Sequence, residues 1–232
     1  MITGLPCTSF TFWFALFTRL DFEVVLSPQS SRKLYIKGQR TIPSDTVCYP
    51  AKLLHGHVMA LLEEKVDAIV NARQVYVFGA GSCKHLAGFL THYLQLLVGK
   101  TRRVTVASPS QICEQMIDLS PEDVVIGISF PRYSKKSVQT LRYAHDKGAG
   151  VIALTDSPLS PIAPYAGALL TAHSDMAAIV DSLVAPLSLI NALIVAVSLR
   201  TMDRVRPKLE ELERLWHSYD VYQSVEERTD TE

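Results

Sequence analysis

The sequence predicts an α/β domain whose mainly parallel sheet is packed between helical layers, and three observations carry that prediction. Short apolar runs alternate with helical periodicities along most of the chain after residue 54. Two of the runs, Val124 to Ile128 and Val151 to Leu154, are apolar without alternation, as strands covered on both faces are. Glycines and small hydroxyl residues end several runs just before a helix begins, the junction that the strand-to-helix units of a parallel sheet use.

The elements can be justified in chain order. Residues 1–45 follow no sustained period, and Pro28, Ser30, Ser31 and Gly38 interrupt them; no helix-turn-helix pattern is found there. A regular pattern starts near Pro43 to Asp45. Leu54, Val58, Leu61, Leu62, Val66, Ile69 and Val70 recur at three- and four-residue steps, which predicts an amphipathic helix within a linker over 46–73. Val75 to Phe78 is a strand ending at Gly79, and Leu86, Phe89, Leu90, Tyr93, Leu94 and Leu97 trace the next helix. A strand is expected over Arg103 to Ala107, a short helix over Gln111 to Ile117 and a strand over Asp123 to Ser129. Helix Ser134 to Lys147, strand Gly150 to Thr155, strand Ala168 to Thr171 and a long helix from about Ala177 to Leu199 complete a unit over 74–203. The segment 204–232 carries a separate helix, Val205 to Tyr219, with Leu209, Leu212, Leu215 and Trp216 on one stripe and Pro207 in its first turn.

Composition narrows the function classes. A chain of 232 residues, 48% hydrophobic and 20% charged, can bury a full core. Lys+Arg and Asp+Glu are equal at 23 each, so no whole-chain basic field is available to hold nucleic acid or an anionic membrane. The four cysteines, Cys7, Cys48, Cys83 and Cys113, form no CxxC pair, which argues against a zinc ribbon or a disulfide framework and for reduced thiols in the cytoplasm. The apolar stretch Phe10 to Phe17 is too short to span a bilayer. No membrane association is expected.

Three strand ends share one chemical character. Gly79-Ala80-Gly81-Ser82-Cys83, Ser129-Phe130-Pro131-Arg132-Tyr133-Ser134 and Thr155-Asp156-Ser157-Pro158 each follow a strand, and right-handed crossovers would gather them at one sheet edge. Hydroxyls, helix N-termini and one arginine together suit a phosphate group. Ser82 and Ser134 read equally as helix N-caps, and Thr155, Asp156 and Ser157 as turn residues. Rival phosphate motifs fail. The dinucleotide fingerprint lacks its third glycine, where Lys84 stands, and no GxxxxGK[ST] occurs. Neither His85 with His92 nor His55 with His57 has metal-ligand spacing, and His173 and Asp175 read as a solvated loop. Neither a metal nor a cofactor is expected.

Val77 to Ser82, Ile128 to Ser134 and Leu154 to Pro161, with Asp181 to Leu187 further on, resemble the sugar isomerase (SIS) domain of RpiR-type transcriptional regulators over about residues 50–216. The resemblance implies a flavodoxin-like three-layer sandwich with a five-stranded, mainly parallel sheet that binds a sugar phosphate, usually as a dimer. Carried onto this chain, its phosphate-binding serines fall on Ser82, Ser129 and Ser134. Gly81, Arg132, Tyr133 and Asp156 complete the expected site, and no catalytic residue is assigned. The alternative is an aldose–ketose isomerase, which needs a general base; Glu114, His173 and Asp181 are the available candidates, none within a motif that announces a base. Such regulators carry a DNA-binding domain before the SIS domain, where residues 1–45 here show only irregular sequence.

These 232 residues, electrically balanced and without a helix-turn-helix pattern at the front, are therefore expected to show negligible sequence-specific DNA binding. A gel-shift titration with genomic fragments at physiological salt checks this; saturable nanomolar binding to one site would contradict it.

Overall fold

The computed structural model describes residues 65–105, 108–174, 176–177 and 180–222, with the isolated positions 32 and 36. The irregular segment 1–45, most of the linker helix, Ala107, Asp175 and the last ten residues lie outside these.

A helical stretch over 65–71 leads into β1 (Val75–Gly79). Then come α1 (Cys83–Val98), β2 (Thr101–Val104), α2 (Pro109–Gln115), β3 (Val124–Ile128), α3 (Lys135–Asp146) and β4 (Gly150–Thr155). A short 3₁₀ turn (Ala163–Tyr165) precedes β5 (Ala168–Thr171), a small antiparallel pair β6 (Met176–Ala177) and β7 (Val180–Asp181), and α4 (Val184–Ser218). The main sheet has five strands in the order β2-β1-β3-β4-β5, all parallel.

The period-two alternation within each strand sorts the core into two layers. Val75 and Val77 of β1, Ile126 and Ile128 of β3, and Ile152 and Leu154 of β4 share one face with Leu86, Leu90 and Leu94 of α1 and with Ile190, Leu193 and Val197 of α4. Tyr76, Phe78, Val125, Val151 and Ala153 share the other face with Ile112 of α2, Met116 just after it, and Leu141 and Ala144 of α3. The chain winds outward from β1 to β2, then returns past β1 to β3. Reversal of direction moves the connecting helix to the opposite face, as right-handed crossovers require. The result is the expected three-layer sandwich.

Gly127 sets how closely α3 approaches the sheet. A Cβ at this position would lie 2.3 Å from Leu141 Cδ1, so glycine lets Leu141 sit directly on the β3 backbone. At the outer edge of the sheet, β2 exposes Arg102 and Arg103, charges that discourage pairing with a further strand.

The structure shifts β2 to Thr101–Val104 and α2 to Pro109–Gln115, each about two residues earlier than expected, and it changes both ends of the long helix. The long helix starts at Val184, not near Ala177, and a two-stranded hairpin occupies the intervening residues. Pro186 has no N–H for a carbonyl one turn earlier, which restricts it to the first turn of the helix. At the other end α4 runs without a break through the expected gap after Leu199, for 35 residues. Its buried positions Ile190, Leu193, Val197, Thr201 and Val205 continue at three- and four-residue steps, so packing persists through the region where two helices were expected. Pro207 is then an interior residue of α4 rather than the start of another helix.

At the N-terminal end of β3, Asp123 is buried and fully engaged. Arg73 donates to both of its oxygens, from Nε at 3.0 Å and from Nη2 at 2.7 Å. Ser120 donates from its backbone amide at 2.8 Å and its hydroxyl at 3.0 Å. Burial alone would raise the pKa of this carboxyl, but the bonds from Arg73 and Ser120 outweigh it and hold the group below its ordinary value. Lys100 adds a second tie by donating to Val70 O at 2.9 Å and to Ala72 O, at the end of the 65–71 helix.

A depressed carboxyl pKa contributes stability above the unfolded value, near pH 4, and that contribution is lost as pH falls through the folded value. Asp123→Asn is expected to lower stability at pH 7 by about 2 kcal/mol, the scale of hydrogen bonds to a charged group. In urea melts the gap between wild type and variant should narrow below about pH 4. A gap unchanged between pH 7 and pH 3 would contradict the linkage.

Candidate functional site

The parallel register places three strand ends side by side. Gly79 of β1 pairs with Ile128 of β3, and Ile128 with Leu154 of β4. With neighbouring strands about 4.8 Å apart, the loops leaving these positions start within about 10 Å of one another. The order β2-β1-β3-β4-β5 reverses direction between β1 and β3. In open α/β sheets the crevice beyond the strand C-termini at such a reversal is where ligands bind.

On the β1 side, Gly79 is required by close approach: a Cβ there would meet Cys83 O at 2.5 Å and Ala87 Cβ at 3.2 Å. The first turn of α1 therefore lies directly against the end of β1. Gly81 takes a left-handed φ of 60° and is exposed. Ser82 precedes α1 with helical backbone angles, and its side chain makes no capping bond to that helix. It is exposed at the start of a 16-residue helix.

The β3 loop is held more firmly. Ser129 is buried, and its amide donates to Leu154 O at 3.0 Å, prolonging the β3–β4 ladder by one bond. Arg132 is exposed and has a φ of 65°, a left-handed conformation that is uncommon for a residue bearing a Cβ. Ser134 is the N-cap of α3 and accepts from Lys136 N at 3.2 Å. An N-cap serine used as an acceptor still has a hydroxyl hydrogen to donate. Both readings of Ser134 from sequence are therefore compatible.

Tyr133 and Asp156 join the β3 and β4 loops. The phenol donates to Asp156 Oδ1 at 2.7 Å, and the Thr155 hydroxyl donates to the same oxygen at 3.1 Å. Burial first, then the hydrogen bond and charge of Asp156, push the Tyr133 phenol up to about 12, while a bond with Ser160 acts in the opposite direction. Tyr133 thus remains a protonated donor throughout the physiological range. The sequence reading had singled out both residues but not their pairing. Ser160 is buried and bonds with Tyr133, and in the sequence it falls only within the Leu154 to Pro161 stretch that carries the resemblance.

Ser137 is another residue that sequence reasoning passed over. It lies buried in the first turn of α3, and its Oγ has no hydrogen-bond partner among the described residues. Its helical spacing gave no sign of this.

The candidate bases do not gather at the reversal. Glu114 is an exposed residue of α2, and His173 is exposed beyond β5, which is separated from β3 by β4. Asp181 lies in the short strand β7. Among the described residues no group of three His, Cys, Asp or Glu side chains could hold a metal ion. An open depression of about 680 Å³ lined by Arg73, Asp118, Ser120, Pro121 and Glu122 lies at the opposite, N-terminal edge of the sheet. Its arginine is already paired with Asp123, and its acidic neighbours suit an anion poorly.

The comparisons with known proteins agree with this geometry. An uncharacterised helix-turn-helix-type transcriptional regulator of Haemophilus influenzae is 31% identical over 164 residues, covering 66% of this chain and 56% of the regulator. The chain thus spans little more than half of that relative's length. The sugar isomerase domain of an RpiR transcription factor from Sphaerobacter thermophilus superposes with a TM-score of 0.61 at 31% identity, over 66% of this chain and 86% of that domain. The Vibrio vulnificus NanR protein complexed with ManNAc-6P shares the fold at 17% identity, with a TM-score of 0.57 over 88% of this chain and 75% of its own. A family model described as the CoA enzyme activase uncharacterised domain (DUF2229) also matches, over residues 5–146. That match ends before β4, so it includes the β1 and β3 loops of the candidate edge and leaves out the β4 loop with Asp156.

Ser134→Ala removes a helix cap and should cost about 1 kcal/mol of stability. Chemical denaturation checks this; an unchanged stability would contradict the capping role.

Proposed function

We propose that this chain, which belongs to the RpiR family of transcriptional regulators and carries that family's sugar isomerase domain, binds a phosphorylated sugar at the β1–β3 reversal. The observation that carries the proposal is the alignment of Gly79, Ile128 and Leu154 at one edge. It brings the N-termini of α1 and α3 together with Ser82, Ser129, Arg132 and Ser134. Helix N-termini offer a positive dipole end, hydroxyls donate, and arginine matches a phosphate in charge and geometry. Gly81 lets the first loop turn without a side chain in the way. Tyr133 and Asp156 complete the edge. The phosphosugar bound to NanR supports this class of ligand. In the whole regulator, located in the cytoplasm, occupancy of this site would modulate an attached DNA-binding domain.

Calorimetry with a panel of hexose 6-phosphates and the matching free hexoses tests the site. The phosphate ester should bind, and the free sugar far more weakly. Ser82→Ala or Ser134→Ala should weaken the ester by about 1 kcal/mol or more, at least fivefold. Equal affinity for ester and free sugar would overturn the proposal.

Self-association is part of the same reading. The apolar stretch of α4 has a mean hydropathy of 1.7 over its best 18 residues, with only 33% of that window buried. One side of α4 packs on α1 and the sheet, while Val184, Leu187 and Leu199 are exposed. A two-fold dimer would cover this face and link ligand binding in one subunit to the other. Light scattering at micromolar concentration should give the mass of a dimer; a strictly monomeric mass would refute it.

A further inference from the structure

We infer that Tyr133 and Asp156 form a clasp that holds Arg132 in its left-handed conformation, and that both are positioning residues rather than contacts to the sugar phosphate. The functional consequence rests on the reading of this edge as a phosphosugar site; the clasp itself does not.

Three observations converge. First, the Tyr133 hydroxyl and one Asp156 oxygen are already committed to each other at 2.7 Å, and Thr155 donates to that same oxygen at 3.1 Å. Binding a ligand through these atoms would require giving up a charge-assisted bond. Asp156 also carries the wrong sign to meet a phosphate directly. Second, Arg132 sits beside Tyr133 with a φ of 65°. A left-handed residue with a Cβ is strained and persists where its surroundings over-determine it. Third, the surroundings do so on each side. The backbone is fixed before Arg132 by the Ser129 amide on Leu154 O and by Pro131, and after it by the Tyr133 clasp and the Ser134 cap. Asp156 is itself anchored, since Thr155 closes β4 in register with Thr171. The chain of constraint therefore runs from the sheet through Thr155, Asp156 and Tyr133 to the Arg132 backbone, and the clasp sets the direction in which the guanidinium leaves the loop.

Two measurements test this, one without any ligand. Trypsin cleaves after arginine only where the local chain can become extended. Wild-type protein should resist cleavage at the Arg132–Tyr133 bond, and Tyr133→Phe and Asp156→Ala should each accelerate it at least fivefold, as read by peptide mapping. Thermal melting verifies that the variants remain folded, and Asp156→Ala leaves both residues of the scissile bond intact. Cleavage at the wild-type rate in both folded variants would overturn the clasp. The second measurement is calorimetry with glucose 6-phosphate and inorganic phosphate. Tyr133→Phe should weaken whichever anion binds at least fivefold, yet cause no further loss in an Arg132→Ala background, because its effect passes through Arg132. An equal loss in both backgrounds would show that Tyr133 acts by direct contact. Faster cleavage with no anion binding by wild type would retain the clasp and remove the phosphosugar reading, so the two fail separately.

Discussion

Every strand of the main sheet runs in the same direction, and the central ones are buried on both faces. That constraint governs the rest of the structure. A buried strand can satisfy its backbone groups only through its neighbours, so β1, β3 and β4 must lie in ladder register along their length. Parallel pairing in turn forces each connection to cross back over a face, through α1, α2 and α3 for the first three crossovers and through the shorter 3₁₀ segment between β4 and β5. All strand C-termini, and all helix N-termini that follow them, are thereby delivered to one edge. The candidate site is a consequence of this geometry before any of its side chains is considered.

Within that frame a few residues decide how tightly the layers close. Gly79 and Gly127 do so by omission, since a methyl group at either would strike α1 or Leu141. Asp123 does so by engagement: it gathers Arg73 and Ser120 at the opposite edge and ties the segment before β1 to the start of β3. The two edges are thus specialised. One is locked by a saturated ion pair, while the other keeps hydroxyls, helix ends and a left-handed arginine near the surface. The division matches what a ligand-responsive domain needs, a rigid sheet with chemistry confined to loops at one end.

The α4 helix is anchored along only part of its length, its buried residues ending at Val205. Its buried stripe anchors it to α1 and the sheet, and its length, about 50 Å at 1.5 Å per residue, carries it well past the sheet. A helix continuous across Pro207 can transmit a displacement at its anchored half to its exposed half more directly than two helices joined by a loop. Reading this region as two helices separated what packing joins. The interruption suggested by Pro207 was a local signal, whereas the stripe through Thr201 and Val205 belongs to contacts made across the fold.

Periodicity alone located the strands at Val75, Val124, Gly150 and Ala168 and the helices that follow the first two, because unalternated apolar runs and three-to-four spacing are direct imprints of burial on both faces or on one. The positions of the loops at Ser82, Ser129 to Ser134 and Thr155-Asp156 at strand ends were legible for a related reason, since glycine and hydroxyl residues mark where a strand stops. What the sequence did not contain was pairing across distance. Tyr133 with Asp156, 23 positions apart, and Arg73 with Asp123, 50 apart, leave no periodic trace. Each depends on strand order and on a register fixed only when the ladders close. The left-handed turn at Arg132 belongs to the same class, since neighbours remote in sequence override the local preference there. Sequence by itself determined which segments are strands, which are helices and where hydroxyls stand; tertiary structure decided which of those groups face one another, because that depends on long-range contacts rather than on neighbours along the chain.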